Sequence, residues 1–268
     1  MGVAIFALSA DGVQSPSDPA KPPFYLPLGL ALIDHVLLGL AEVGFTRVVV
    51  LVGINSSQTR EVLDHGRQEL YPSLEVEILD LGADNNHSHA SSVLQAQSLF
   101  DKPFLICPSD HMYESKLYER MADANLLAAA SAVLVETDLS GMVGLPRNTT
   151  HVAFRPLDAD HSIHEIGCEL DAYNAIAAGL VAATPAIFAR LKRQEHKPYY
   201  TLADALSGWA GSKKLVYVET RGATWFSGAK RTDVDAPVMA DHIVVQWRRN
   251  SRSATLATAS LKLVSSTS

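Results

Sequence analysis

The chain has 268 residues, of which 47% are apolar and 19% charged, with a formal net charge of −7. That is enough apolar material for one large folded domain and too much for wholesale disorder. The acidic balance argues against a nucleic-acid polymer as the main partner, because such binding rests on Lys and Arg neutralising phosphates; a single nucleotide held by a few local donors stays open.

In chain order, Val3–Leu8 reads as a first buried strand, too short to be a secretory signal. A Pro- and Ser-rich loop runs from Ser15 to Pro27. Leu30–Val43 has helical spacing, with Leu32, Ile33, Val36, Leu37 and Leu40 on one side and Gly44 at the stop position. Arg47–Val52 is a continuous β-branched run, as a strand buried on both faces requires. A helix over Ser57–Leu70, a strand over Val76–Leu79, a helix over Ser91–Phe100 and a strand over Phe104–Cys107 follow. Strands and helices that alternate in this way predict an α/β fold with a Rossmann-like, doubly wound mixed sheet.

The second half is less regular. Ala132–Glu136, Val152–Pro156, Ile163–Ile166 and Leu215–Glu219 read as strands, and Thr184–Lys192 and Leu202–Trp209 as helices. Ala175–Ala189 is the stretch nearest to a membrane span, but Thr184-Pro185 breaks it and it falls short of the ~18 apolar residues needed. From Arg248 the chain is Ser-, Thr- and Ala-rich; residues 1–245 are taken as one domain and 246–268 as a tail. Cys107, inside a predicted core strand, and Cys168 suit a reduced cytoplasmic chain better than a disulfide scaffold.

The most informative spot is the end of the Phe104–Cys107 run, which stops at Pro108-Ser109-Asp110-His111. An α/β sheet binds ligands at the carboxyl ends of its strands. A carboxylate there suits Mg²⁺, which takes one or two carboxylates and shares its other positions with water and phosphate. The competing reading is that Asp110 caps the helix that follows. His87-Ser88-His89 and His161-Ser162-Ile163-His164 have chelate-like spacing, but without clustered cysteines they read as solvated loop residues rather than a zinc site. There is no Gly-x-Ser-x-Gly elbow and no Gly-x₄-Gly-Lys-Ser/Thr loop, which removes serine hydrolases of that fold and P-loop enzymes.

Several segments, in order, resemble the sugar-phosphate nucleotidyltransferase superfamily, and within it the inositol-phosphate cytidylyltransferases. Leu30–Leu37 followed by Gly44–Gly53 looks like "PLIEHVL…AGI…VVVVGY". His89–Ala96 is similar to "NGYSLLKA", and Phe104–His111 to "FLVVMGDH". Ile163–Leu170 through Tyr173, then Ala175–Gly179, resembles "I-x-E-I-G-K-x-L-x-x-Y-D-A-I-D-T-G". Tyr199–Asp204 looks like "YYSLSD", and Trp225 with Asp233–Pro237 like "W-x-D-V-D-T-P". The resemblance spans roughly residues 1 to 240 and implies a nucleotide-diphospho-sugar transferase type of fold.

It also implies an activity: attack of a substrate phosphate on the α-phosphorus of a nucleoside triphosphate, CTP by this branch, with release of pyrophosphate. The acceptor would be a phosphorylated polyol or alcohol such as inositol phosphate. By the same resemblance Lys21 and Asp110 are catalytic, and Asp110 and Asp233 hold Mg²⁺. Leu8, Ser9 and Ala10 lie in the phosphate loop, Ser91 and Ser92 near the base, and His111, Gly167 and Gly179 around the substrates. No nucleic acid and no membrane span are expected, and a homodimer is left open.

The chain departs from the pattern at charged positions. The stretch Phe6–Gln14 has Ser9 and Asp11 near glycine positions of the family's "LAAGxGxRL" loop, and no Arg follows. Cys168 stands where the family has an acceptor-side lysine, Ala177 replaces an aspartate, and Phe226–Thr232 lengthen the run from Trp225 to Asp233. These losses support an alternative: a nucleotide-binding or subunit-interaction module of the same fold without catalysis.

Overall fold

The computed structural model describes residues 2–7, 32–53, 56–82, 88–109, 111–140, 149–155, 159–197 and 200–227. The predicted alternation is present. Strands β1 (Gly2–Ala7), β2 (Arg47–Val52), β3 (Glu75–Asp80) and β4 (Phe104–Pro108) are separated by helices α1 (Leu32–Glu42), α2 (Ser56–Glu69) and α3 (His89–Gln95). A short strand β5 (His111–Tyr113) then leads into α4 (Ser115–Ala122) and β6 (Ser131–Glu136). The remaining elements are β7 (His151–Phe154), β8 (Ile163–Gly167), β9 (Ala175–Ala183), α5 (Ala186–Gln194), α6 (Leu202–Ser207), β10 (Leu215–Glu219) and β11 (Trp225–Ser227).

One mixed sheet carries nine of these strands, with the path β10-β6-β9-β4-β1-β2-β3 and with β7 joined to β8 and β9. All neighbours on the β4-β1-β2-β3 side are parallel. β9 runs antiparallel between β4 and β6, so those two strands end at the same edge. A separate antiparallel ribbon pairs β5 with β11.

The pleat explains why the central strands read as unbroken apolar runs. Successive side chains point to opposite faces, and each face has its own core. Val49, Leu51, Phe104, Ile106, Val133 and Val135 meet α3, α5 and α6 on one side. Val48, Val50, Leu105, Cys107, Ala132 and Leu134 meet the α1, α2 and α4 layer on the other. The sheet is therefore doubly wound, with three of the described helices on each face.

Three local readings need correction. Helix α1 is not buried along one stripe only: Ile33 to Leu40 are buried all round, Asp34 and His35 included. The Asp34 carboxylate accepts a hydrogen bond from the Tyr71 hydroxyl at 3.1 Å, which makes burial of a polar group tolerable. The Ala175–Ala183 stretch, not assigned as a strand from sequence, is the central strand β9. Alanine has little strand propensity, and it is the position between β4 and β6 that makes this segment extended. Finally, β5 lies between β4 and α4, and the N-cap of α4 is Glu114. The helix-cap reading of Asp110 is thereby removed.

No helix among the described residues is long and apolar enough to cross a membrane.

Candidate active site at the carboxyl edge of the sheet

Chain connections leave β1 in opposite directions across the sheet, β2 on one side and β4 on the other. That makes the β1/β4 boundary a topological switch point, where sheets of this kind form a crevice at their carboxyl ends. The parallel register pairs Phe6 with Pro108. The carboxyl ends of β1 and β4 therefore lie side by side. Leu8, Ser9, Ala10 and Lys21 lie outside the described residues, as do Asp110 and Asp233.

The wall of this crevice comes from β9. Val133 pairs with Val181 and Val135 with Ala177, so four steps along β9 answer two along β6. The surplus is a bulge, and Gly179 sits in it with φ +89°, a conformation that favours glycine. Below the bulge β9 pairs with β4, and above it with β7. The bulge is thus the gap where β4 leaves the sheet and β7 takes its place.

The β5–β11 ribbon lies on that gap. A Cβ added at Gly179 would stand 2.9 Å from the Tyr113 hydroxyl and 3.1 Å from the His111 ring. The Tyr113 hydroxyl donates to the Ala178 carbonyl at 2.7 Å. The planes of His111 and Trp225 lie within 4° of parallel, with centroids 6.1 Å apart, and Tyr113 is the same distance from His111 on its own strand. Of the residues expected to surround substrates, His111 and Gly179 are therefore brought into contact. Ser227, the last described residue, pairs with His111, so the chain runs on toward Asp233 from beside the residue that follows Asp110.

Carboxylates fasten the ribbon. Glu114, buried at the end of β5, accepts from the Thr224 amide at 2.9 Å and pairs with Lys116, while its own amide donates to the Thr224 carbonyl. Burial alone would raise its pKa, but the bonds from Lys116 and Thr224 outweigh that and hold it below the usual value. At the end of β6, Glu136 accepts from the Thr220 hydroxyl at 2.9 Å and the Trp225 indole N–H at 3.3 Å. Arg120 of α4 donates to the Thr220 carbonyl. Neither Glu136 nor Tyr113 was singled out from the sequence. Glu136 was visible only as the last residue of a strand, and Tyr113 only as a position two beyond His111.

The β7–β8 pair joins β9 beyond the bulge. Gly167 ends β8 opposite His151, and a Cβ added there would meet only Leu170, at an ordinary 3.7 Å. Cys168 follows, half-buried and outside any disulfide. The His151 ring stacks on Tyr173 at 4.0 Å, near-parallel. Gly167 is thus separate from the His111–Gly179 contact, on the strand pair that joins β9 beyond its bulge.

Ser91 and Ser92 sit in the first turn of α3. The cap is Ser88, whose hydroxyl accepts from the Ser91 amide at 3.2 Å. Both serine hydroxyls donate back to the Ser88 carbonyl, at 2.9 and 3.1 Å. Ser92 is fully buried, whereas Ser91 is half-buried and keeps an edge toward solvent. Among the described residues no group of three or more His, Cys, Asp or Glu is arranged to hold a metal ion.

No protein-family model and no curated protein sequence matches the chain. Solved structures do. An inositol-1-phosphate CTP transferase from T. maritima superposes with a TM-score of 0.73 at 15% identity, over 94% of this chain and 98% of that one. A proposed glucose-1-phosphate thymidylyltransferase from Bacillus anthracis, solved with sucrose, gives 0.68 at 16% identity over 90% and 95%. A UDP-glucose pyrophosphorylase complexed with UDP-glucose gives 0.63 at 14% identity over 92% and 99%. What these likenesses establish is the architecture: the chain has the mixed α/β fold of the nucleotidyltransferases that it is similar to.

Proposed function

We propose that the chain is a nucleotidyltransferase that joins the nucleotidyl group of CTP to a phosphorylated polyol, inositol phosphate being the leading acceptor. One observation supports this reading: β1 and β4 end side by side at the switch point, Phe6 against Pro108, and His111, which follows Asp110 in sequence, pairs with Ser227 of the β5–β11 ribbon. An oxygen of the acceptor phosphate attacks the α-phosphorus. A new P–O–P linkage forms, the bond from the α-phosphorus to the bridging β-phosphate oxygen breaks, and pyrophosphate leaves.

Such a transfer depends on positioning and charge neutralisation more than on covalent chemistry by the protein. In this reading the backbone at Leu8, Ser9 and Ala10 approaches the triphosphate, and Lys21 neutralises part of its charge. Ser91 is placed to face the base, with Ser92 behind it as packing. His111 lines the α-phosphate side, Gly179 makes room for the His111 and Tyr113 rings that shape it, and Gly167 leaves its backbone open to the acceptor. Asp110 and Asp233 fit Mg²⁺ by donor chemistry, since two carboxylates leave positions for water and phosphate oxygens and need no cluster of three protein ligands. Bound there, the ion would neutralise charge on the triphosphate oxygens.

A second reading, a nucleotide-binding or interaction module without catalysis, is favoured by Cys168, which stands directly after Gly167 where the resemblance implies a lysine. Thermal shift separates the two. The enzyme reading predicts a rise of several degrees with CTP and Mg²⁺ that disappears in Asp110→Asn, together with pyrophosphate release when inositol phosphate is added. No shift and no release with any nucleotide and a panel of phosphorylated polyols would falsify it.

A further inference from the structure

Glu136 ends β6 at the same carboxyl edge as the Asp110 segment, and it pairs directly with Ile176 of β9, which in turn pairs with His151. Paired residues share a face of the sheet, so Glu136 projects on the face that the β5–β11 ribbon covers. Its two carboxylate oxygens are divided between two tasks. Oε1 accepts from the Asp138 amide at 2.8 Å, which fixes the chain after β6. Oε2 accepts from both the Thr220 hydroxyl and the Trp225 indole. Thr220 is itself fully buried, and its carbonyl is taken by Arg120. The oxygen that holds Trp225 is therefore fixed from behind and cannot swing to follow the indole.

Trp225 is the link to the candidate active site. Its ring lies parallel to His111, and its backbone pairs with Tyr113. The His111 ring fills the space beside Gly179 that a Cβ would need, so it lies close against the β9 bulge. Trp225 thus bounds His111 on one side and the β9 bulge bounds it on the other.

We propose that Glu136 is a positioning residue for nucleotidyl transfer: through its bond to the Trp225 indole it sets the place of His111, the residue that follows Asp110. The inference rests on the transferase reading above. Loss of the carboxylate removes the acceptor of the indole N–H, and His111 beside the ring then samples positions that do not support reaction. Misplacement of a reacting constellation by about 1 Å costs on the order of 10²-fold in rate. The cost falls on kcat, because Glu136 touches neither substrate.

The test has two arms. Proton–nitrogen spectra of the ¹⁵N-labelled protein show the indole N–H signals of its three tryptophans, and Trp225→Phe identifies the one that belongs to Trp225. Glu136→Ala should shift and broaden that signal alone, whereas Glu136→Gln, which keeps an acceptor oxygen, should leave it near its place. An unmoved signal in Glu136→Ala overturns the proposal whatever the activity. In the second arm, pyrophosphate release from CTP with inositol phosphate should fall in kcat by roughly 10–10² in Glu136→Ala, with KM for CTP within about threefold. Glu136→Gln should recover most of the rate. The double variant Glu136→Ala/Trp225→Phe should be no slower than the slower single, since both act through one contact. Additive losses, or a loss confined to KM, contradict it. A wild-type chain without any release removes the transferase reading and the kinetic half of the proposal together, and the indole arm still decides whether Glu136 holds Trp225.

Discussion

Gly179 shows how one residue without a side chain shapes the candidate site. Its φ of +89° is one that other residues rarely adopt, and the rings of His111 and Tyr113 occupy the space a Cβ would need. Gly179→Ala should therefore lose about 2–3 kcal/mol, partly from backbone strain and partly from displaced rings. A urea titration reads this as a lower midpoint at unchanged slope. A midpoint equal to wild type would mean that the ribbon does not rest on the bulge. His35 gives a second prediction at this scale. Burial in α1 lowers its pKa from 6.5 to about 4. Between those values the unfolded chain takes up a proton that the folded chain refuses, so stability rises with pH across that window and is lost as pH falls through it. The loss approaches about 3 kcal/mol near pH 4. Melting temperatures from pH 7 down to pH 4.5 should drop, and His35→Leu should flatten the drop. A profile unchanged by the substitution would show that other groups carry it.

Among the elements, the β5–β11 ribbon most directly shapes the site, and it is also the part least visible in the sequence. Each of its strands has three residues. Nothing in a three-residue run distinguishes a strand from a loop, because the pairing partner is more than a hundred positions away. The same holds for Glu136 and Trp225, whose bond spans 89 positions. By contrast β2, β4 and β6 are readable because β-branched and apolar residues fill both faces of the pleat. β9 was hidden by its alanines. Its glycine was named from a resemblance, and the bulge supplies the physical reason for it. The ribbon's anchor on Glu114 can be tested by pH. Its carboxyl is held below the ordinary value by Lys116 and Thr224. The stability it gives is present above the unfolded-state pKa and is lost as pH falls through the lowered folded value. Glu114→Gln should destabilise the chain at pH 7 and remove the acid limb that opens near pH 4.5, at the lower end of the His35 window. If Glu114→Gln and wild type melt alike at pH 7, the anchor is energetically idle.

For the molecule as a whole, the sheet order makes sense of which sequence features survived. The segments that build the two cores follow the order of the fold shared with the structures reported above, and the T. maritima CTP transferase aligns over 94% of this chain. Of the departures, Cys168 directly follows β8 and Ala177 lies on β9 beside the bulge, while most of Phe6–Gln14 and of Phe226–Thr232 lies outside the described residues. A fold can persist through such changes because its stability comes from burial on both sheet faces, while activity depends on a few charged groups at one edge. Nucleotidyl transfer at this edge is the proposal on which the site's reading turns. Pyrophosphate release from CTP, inositol phosphate and Mg²⁺ tests it most directly, measured for wild type, Asp110→Asn and Asp233→Asn. The account predicts release by the wild type and a fall of about 10³-fold or more in each variant, with folding unchanged by circular dichroism. Release that survives in both variants, or no release by the wild type at high enzyme and with every nucleotide and phosphorylated polyol tried, would contradict it.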